Sequence, residues 1–182
     1  MSDNRELLRQ MVIDRALSRG SFILASGRES SYYLDGRLVT LSPDGAYLIG
    51  KLMFDIIKDM DVQGVGGLTM GADPVASAIS IVSYLEGKPI PAFLVRKEAK
   101  GHGKGKQVEG PLPENANVVI VEDTVTTGGS PLKAIEAVEA LGCKVVAVLS
   151  LVDRMEGARE ALESRGYKFI PLFTVRDLGI EA

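Results

Sequence analysis

Polar and apolar positions fall into two regimes along this chain. From residue 62 onward, short apolar runs alternate with longer stretches whose apolar residues recur every three or four positions. The runs Val62–Leu68, Pro91–Arg96, Asn117–Glu122, Lys144–Val152 and Tyr167–Val175 predict strands. The stretches Asp73–Glu86, Pro131–Leu141 and Glu156–Arg165 predict helices. Strands alternating with helices imply βαβ units, hence an α/β fold with a central, mostly parallel sheet flanked by helices. NVVIVE and VVAVLSLV are apolar almost throughout, as strands covered on both faces should be.

The first part of the chain reads differently. Asn4 can cap a helix whose stripe is Leu7, Leu8, Met11, Ala16 and Leu17, ending at Gly20. Ser21–Ala25 and Ser31–Asp35 flank the turn Ser26-Gly27-Arg28 and predict a hairpin. Pro43-Asp44-Gly45 opens another helix, with Ile49, Leu52, Met53, Ile56 and Ile57 at helical spacing. With no repeat and no linker, the expectation is a single domain over 1–182. Residues 1–40 form a small accessory piece and 41–182 the α/β core.

Residues 97–110, KEAKGHGKGKQVEG, have neither period. They hold the chain's one histidine among lysines and glycines. A loop this long inside a domain is functional or a solvated charged segment. On composition alone these two readings stand level.

Composition narrows the class. Hydrophobic residues make up 46% and charged residues 25%, ordinary values for a globular protein. The net charge of −3 gives no sign of the basic face that a nucleic-acid binder needs. No run approaches the roughly 20 apolar residues of a membrane span, and the charged start MSDNRELLRQ lacks a secretion signal. One cysteine, Cys143, permits no internal disulfide and reads as a small buried hydrophobe. The expected location is the cytoplasm, without nucleic-acid or membrane partners.

The strongest motif is Val119-Ile120-Val121-Glu122-Asp123-Thr124-Val125-Thr126-Thr127-Gly128-Gly129-Ser130. A buried strand ends in two carboxylates, a hydroxyl- and glycine-rich turn follows, and a helix opens at Pro131. Backbone N–H groups in such a turn, backed by a helix dipole, make an anion site. Carboxylates would repel a phosphate, so Glu122 and Asp123 suit ribose hydroxyls or a hydrated Mg²⁺. This is neither a Walker A loop nor a dinucleotide fingerprint.

The segment resembles the PRPP signature of type I phosphoribosyltransferases. RKEAKGHG, from Arg96 to Gly103, is similar to the catalytic loop of the orotate phosphoribosyltransferases. Ser26-Gly27-Arg28 with Tyr32 and Tyr33 resembles that family's N-terminal hood. The resemblance spans about Phe22 to Arg154 and implies a type I phosphoribosyltransferase-like fold. It also implies transfer of phosphoribosyl from PRPP to orotate in pyrimidine biosynthesis, giving orotidine 5′-monophosphate and pyrophosphate.

Roles follow by the same resemblance. Glu122 and Asp123 contact ribose hydroxyls, and Thr124, Val125, Thr126, Thr127, Gly128, Gly129 and Ser130 belong to the PRPP turn, with Thr126 to Ser130 around the 5-phosphate. Arg96, Lys97, Lys100 and His102 bind PRPP. Lys97, Lys100 and His102 are catalytic and meet the charge growing on the diphosphate. Thr126, Arg154, Tyr32 and Tyr33 take orotate, with at most one tyrosine stacking, since neighbours on a strand face opposite ways. For Arg154, pairing with Asp153 or Glu156 is the structural alternative. Mg²⁺ is the implied cofactor, carried mainly by PRPP and reached by Glu122 and Asp123 through water. The implied assembly is a homodimer in which loop cations of one subunit serve the other's site.

Two positions depart from the family pattern. Ala25 stands where many members have Lys, and Met70-Gly71 where many have Tyr-Lys. A phosphoribosyltransferase for another base, and a PRPP-sensing regulator without activity, remain alternatives at this stage.

Overall fold

The computed structural model describes residues 2–23, 27, 29–98 and 106–181. Helix α1 (Ser2–Met11) runs into a π-helical turn, Val12–Ala16. The hairpin strands β1 (Leu17–Ile23) and β2 (Glu29–Leu34) follow, then a helical turn α2 (Arg37–Thr40) and helix α3 (Pro43–Ile57). The core continues as β3 (Gly64–Leu68), α4 (Ala72–Leu85), β4 (Ala92–Val95) and β5 (Val108–Glu109). It ends with β6 (Asn117–Val125), α5 (Gly129–Glu139), β7 (Lys144–Asp153), α6 (Ala158–Glu163) and β8 (Phe169–Thr174).

The main sheet has the order β5-β4-β3-β6-β7-β8. Every neighbouring pair is parallel except β4–β5. The apolar runs have the expected cause: β6 is covered on both faces. Val119 and Val121 join the cluster built with Ile49, Met53 and Ile79 of α3 and α4. Val118 and Ile120 join the other cluster, with Ile135 and Val138 of α5. Alternate residues thus enter opposite cores, each sealed by helices.

Several boundaries move for tertiary reasons. The first helical segment stops at Ala16 rather than at Gly20. Leu17 pairs with Leu34 across the hairpin, and Asp35 N–H donates to Ala16 carbonyl at 3.0 Å, so the ladder takes residues that the helical stripe had claimed. Leu8, Met11, Val12 and Ala16 are buried, whereas Leu7 faces out. In the aperiodic segment, Val108–Glu109 forms a short antiparallel strand on β4, and Arg96 N–H donates to Gln107 carbonyl at 2.8 Å. Cys143 is buried just before β7, as its size and polarity suggested.

Candidate active site

The central strand places the acid pair. β6 does not stop at Glu122 but stays paired with β7 through Val125, with Glu122 opposite Ser150 and Thr124 opposite Val152. The two carboxylates therefore lie within the ladder, held by hydrogen bonds that their polarity conceals in the sequence. β3 ends at Leu68, and the loop Thr69-Met70-Gly71 turns beside them. A Cβ on Gly71 would fall 2.0 Å from Glu122 Oε1 and 2.6 Å from Asp123 Oδ1.

Glu122 is buried and Asp123 half-buried. Asp123 N–H donates to Glu122 Oε1 at 3.3 Å, and Thr124 N–H donates to Asp123 Oδ1 at 2.7 Å. Burial, and then the neighbouring Asp123 charge, push the Glu122 carboxyl up to about 9. Burial also raises Asp123 above its ordinary range. Burial and the closeness of two like charges thus favour a proton held by the pair.

Beyond Val125 the chain turns through Thr126 and Thr127 to Gly128, which is left-handed at φ 86°. A residue with a Cβ would be strained there. Helix α5 starts at Gly129 rather than at Pro131, so Pro131 sits inside its first turn. No side chain caps this end, leaving first-turn N–H groups to a ligand or solvent. Ala158 N–H donates to Thr126 carbonyl at 3.2 Å and Arg154 N–H to Val125 carbonyl at 2.8 Å. These bonds fix the turn against the segment after β7.

A cavity of about 320 Å³ opens over this strand end. Glu122, Asp123, Thr124 and Ser130 line it on one side, and Thr69, Met70, Gly71 and Lys97 also reach it. Tyr33 closes it from the hairpin, and Asp35, Gly36 and Arg37 from the segment leading into α2. Asp35 ends the stretch Ser31–Asp35 with no role assigned to it, and Arg37 belongs to no motif; the available signal was an Asp-Gly-Arg turn one residue past the tyrosine pair.

The other predicted residues divide. Tyr33 is exposed on the cavity wall, whereas Tyr32 is buried and Arg154 is 9% exposed. Arg154 Nε donates to Tyr32 Oη at 3.1 Å and lies 3.0 Å from Glu156 Oε1, with its guanidinium 4.8 Å above the Tyr32 ring. The pairing with Glu156 is therefore realised, and Arg154 and Tyr32 form one buried unit that does not itself line the cavity. Arg96 pairs with Glu109, Nε to Oε1 3.2 Å. Lys100, His102 and Ala25 lie outside the described residues.

The donor set can be tested against Mg²⁺. Among the described residues no group of three or more His, Cys, Asp or Glu side chains could cage a metal. Two adjacent carboxylates fit Mg²⁺ that keeps its waters and arrives on a phosphorylated substrate. They do not fit an all-protein site.

Comparison with known proteins agrees with this geometry. Residues 42–170 match the model of the phosphoribosyl transferase domain. The orotate phosphoribosyltransferase of Nostoc sp. is 48% identical over 98% of this chain and 86% of its own length. The crystal structure of Mycobacterium tuberculosis orotate phosphoribosyltransferase in complex with Fe(III) dicitrate superposes with a TM-score of 0.87. It is 44% identical and covers 97% of this chain and 99% of that one. The same enzyme in complex with PRPP gives a TM-score of 0.83 at 41% identity, covering 97% and 99%.

Proposed function

The chain belongs to the orotate phosphoribosyltransferases, and from that premise we propose how its own residues share the work of moving phosphoribosyl from PRPP to orotate. The observation that carries the assignment of roles is the meeting, at one cavity, of the acid pair and the uncapped start of α5.

Glu122 and Asp123 accept hydrogen bonds from the ribose hydroxyls. Thr126, Thr127, Gly128, Gly129 and Ser130 enclose the 5-phosphate with backbone N–H groups and hydroxyls, and Thr124 and Val125 hold that turn to the strand. Arg96, Lys97, Lys100 and His102 gather on the diphosphate. As the bond from ribose C1 to the diphosphate oxygen breaks, its electron pair leaves with the diphosphate. Lys97, Lys100 and His102 are the catalytic groups that neutralise this charge. N1 of orotate supplies the pair for the new bond to C1, and the proton it gives up passes to the departing diphosphate. No covalent enzyme intermediate is required.

Orotate is taken between Tyr33 and the turn, with Thr126 as a hydrogen-bonding partner. Arg154 and Tyr32 form the floor from which the guanidinium meets the orotate carboxylate. Mg²⁺, when bound with PRPP, supplies charge neutralisation at its oxygens, and Glu122 and Asp123 would reach it through water.

The working unit in this reading is a cytoplasmic homodimer, each chain a single domain over 1–182, with loop cations crossing to the partner's site. Exposed apolar residues support such an assembly: Ile81, Tyr84 and Leu85 on α4, with Tyr47 on α3. Scattered apolar residues are normal on a surface, but a stripe along one helix marks a contact face. No helix among the described residues is long and apolar enough to cross a membrane.

The test is the loss of orotate absorbance with and without PRPP and Mg²⁺. The reading requires decay only with both present, accompanied by stoichiometric pyrophosphate. Decay of adenine or hypoxanthine in preference to orotate would overturn the base assignment.

A further inference from the structure

The cavity that holds the acid pair carries a cation to which no motif pointed. Arg37 lines it together with Tyr33, Thr69, Gly71, Lys97 and Asp123. Its guanidinium is forked with Asp35: Nε is 2.8 Å from Oδ1 and Nη2 is 3.0 Å from Oδ2. The Arg37 backbone N–H donates to the same Oδ1 at 3.1 Å. Such a fork fixes the plane of the guanidinium and leaves its other edge to donate elsewhere.

Gly36, between the two, sets the segment against the acid pair. A Cβ there would lie 3.0 Å from Asp123 Oδ2 and 3.1 Å from Thr124 Oγ1. Arg37 is therefore carried to the cavity by a backbone approach that a larger residue would push back.

The charge of the wall gives this cation a task. Asp35, Glu122 and Asp123 contribute carboxylates, and among the described lining residues only Arg37 and Lys97 are basic. Gly71 stands where many members of the family have Lys, and it brings no charge to this wall. Here any side chain at 71 would collide with the Glu122 carboxylate in its present place. A polyanion entering beside three acids needs a fixed positive charge to offset them.

We propose that Arg37, oriented by Asp35, binds the diphosphate of PRPP from the hairpin side of the cavity, in place of the cation that Gly71 excludes. The inference rests on the PRPP reading above. In it Arg37 touches substrate, and Asp35 is a positioning residue.

Calorimetry with magnesium pyrophosphate and, separately, ribose 5-phosphate tests it. Arg37→Ala should weaken pyrophosphate binding about 10- to 100-fold, the size of a lost charge-assisted contact, and leave ribose 5-phosphate unchanged. Arg37→Lys should recover part of the loss, because it restores the charge without the fork. Asp35→Asn should cost about three- to tenfold through misorientation alone. Melting of the free Arg37→Ala chain should stay within about 2 °C of the parent, since exposed pairs contribute little to stability. Unchanged pyrophosphate affinity in Arg37→Ala, or an equal loss for ribose 5-phosphate, would overturn the proposal. These affinities are read without orotate. A parent chain that binds pyrophosphate through Arg37 but consumes no orotate would refute the reaction and uphold this contact.

Discussion

Strand β6 and the hairpin β1–β2 both reach the cavity, yet they are held by different forces. β6 is paired on both edges, by β3 and β7, and Val118, Val119, Ile120 and Val121 are fully buried. The hairpin is a two-stranded ribbon whose β1 residues are mostly exposed. It is tied down at points: Arg19 Nη2 to Gly179 carbonyl at 3.0 Å, and Arg154 to Tyr32. An acid pair set in a doubly covered strand cannot drift, so its geometry is fixed before substrate arrives. Side chains on a ribbon can yield, which suits a group that grips and releases a base. Substitutions on β6 should therefore appear in turnover, and those on the hairpin in affinity.

The largest effect should come from Asp123→Asn, which keeps shape and removes charge. It should lower kcat/KM by about 100-fold or more, since a charged hydrogen-bond acceptor for the ribose is lost. The free variant should melt no lower than the parent. A change confined to KM for PRPP would place Asp123 with the hairpin class instead.

Next comes Arg154→Ala, which removes the contacts of Arg154 with Glu156 and Tyr32. A cost of about 2 kcal/mol is expected in urea unfolding, below the range for a fully buried pair because Glu156 is partly exposed. Orotate affinity should fall with it. Full stability combined with lost orotate binding would show that the pair serves the substrate alone.

A subtler effect concerns pH. Glu122 is raised to about 9 in the fold from an ordinary 4.5. Between these values the unfolded chain has lost a proton that the folded chain retains. Stability from this group is thus complete below about pH 4.5 and declines as pH rises toward 9. The slope cannot exceed about 1.4 kcal/mol per pH unit for one proton. Glu122→Gln should flatten that decline in denaturant titrations across the window. A parent whose stability rises with pH there would contradict the shared proton.

The smallest effect separates the two tyrosines. Tyr32→Phe should cost about 1 kcal/mol of stability by removing the acceptor for Arg154. Tyr33→Phe, on the exposed wall, should leave unfolding unchanged.

These contrasts follow what a sequence can disclose. The core strands were legible because two-face burial writes itself as VVIV and VVAVLSLV. The acid pair and turn were legible as a motif on such a strand. The continuation of β6 through Val125 was not, because Glu122, Asp123 and Thr124 carry the polarity of a loop while the ladder to β7 holds them extended. Leu17 was assigned to a helix because its stripe fitted, and cross-hairpin pairing with Leu34 overrode the period. The Arg154–Tyr32 contact joins residues far apart in the chain, a distance that no spacing rule spans. Arg37 was passed over because its role depends on Gly36 and Gly71 leaving room beside Asp123, which only coordinates disclose.

Everything proposed for this site requires that the turn after β6 hold the 5-phosphate of PRPP. Hydrogen–deuterium exchange across Thr126–Ser130, with and without PRPP and magnesium, tests it most directly. Exchange in this segment should slow strongly on binding, and Asp123→Asn should abolish the slowing. Exchange that stays as fast at saturating PRPP, in a chain that still consumes orotate, would contradict it.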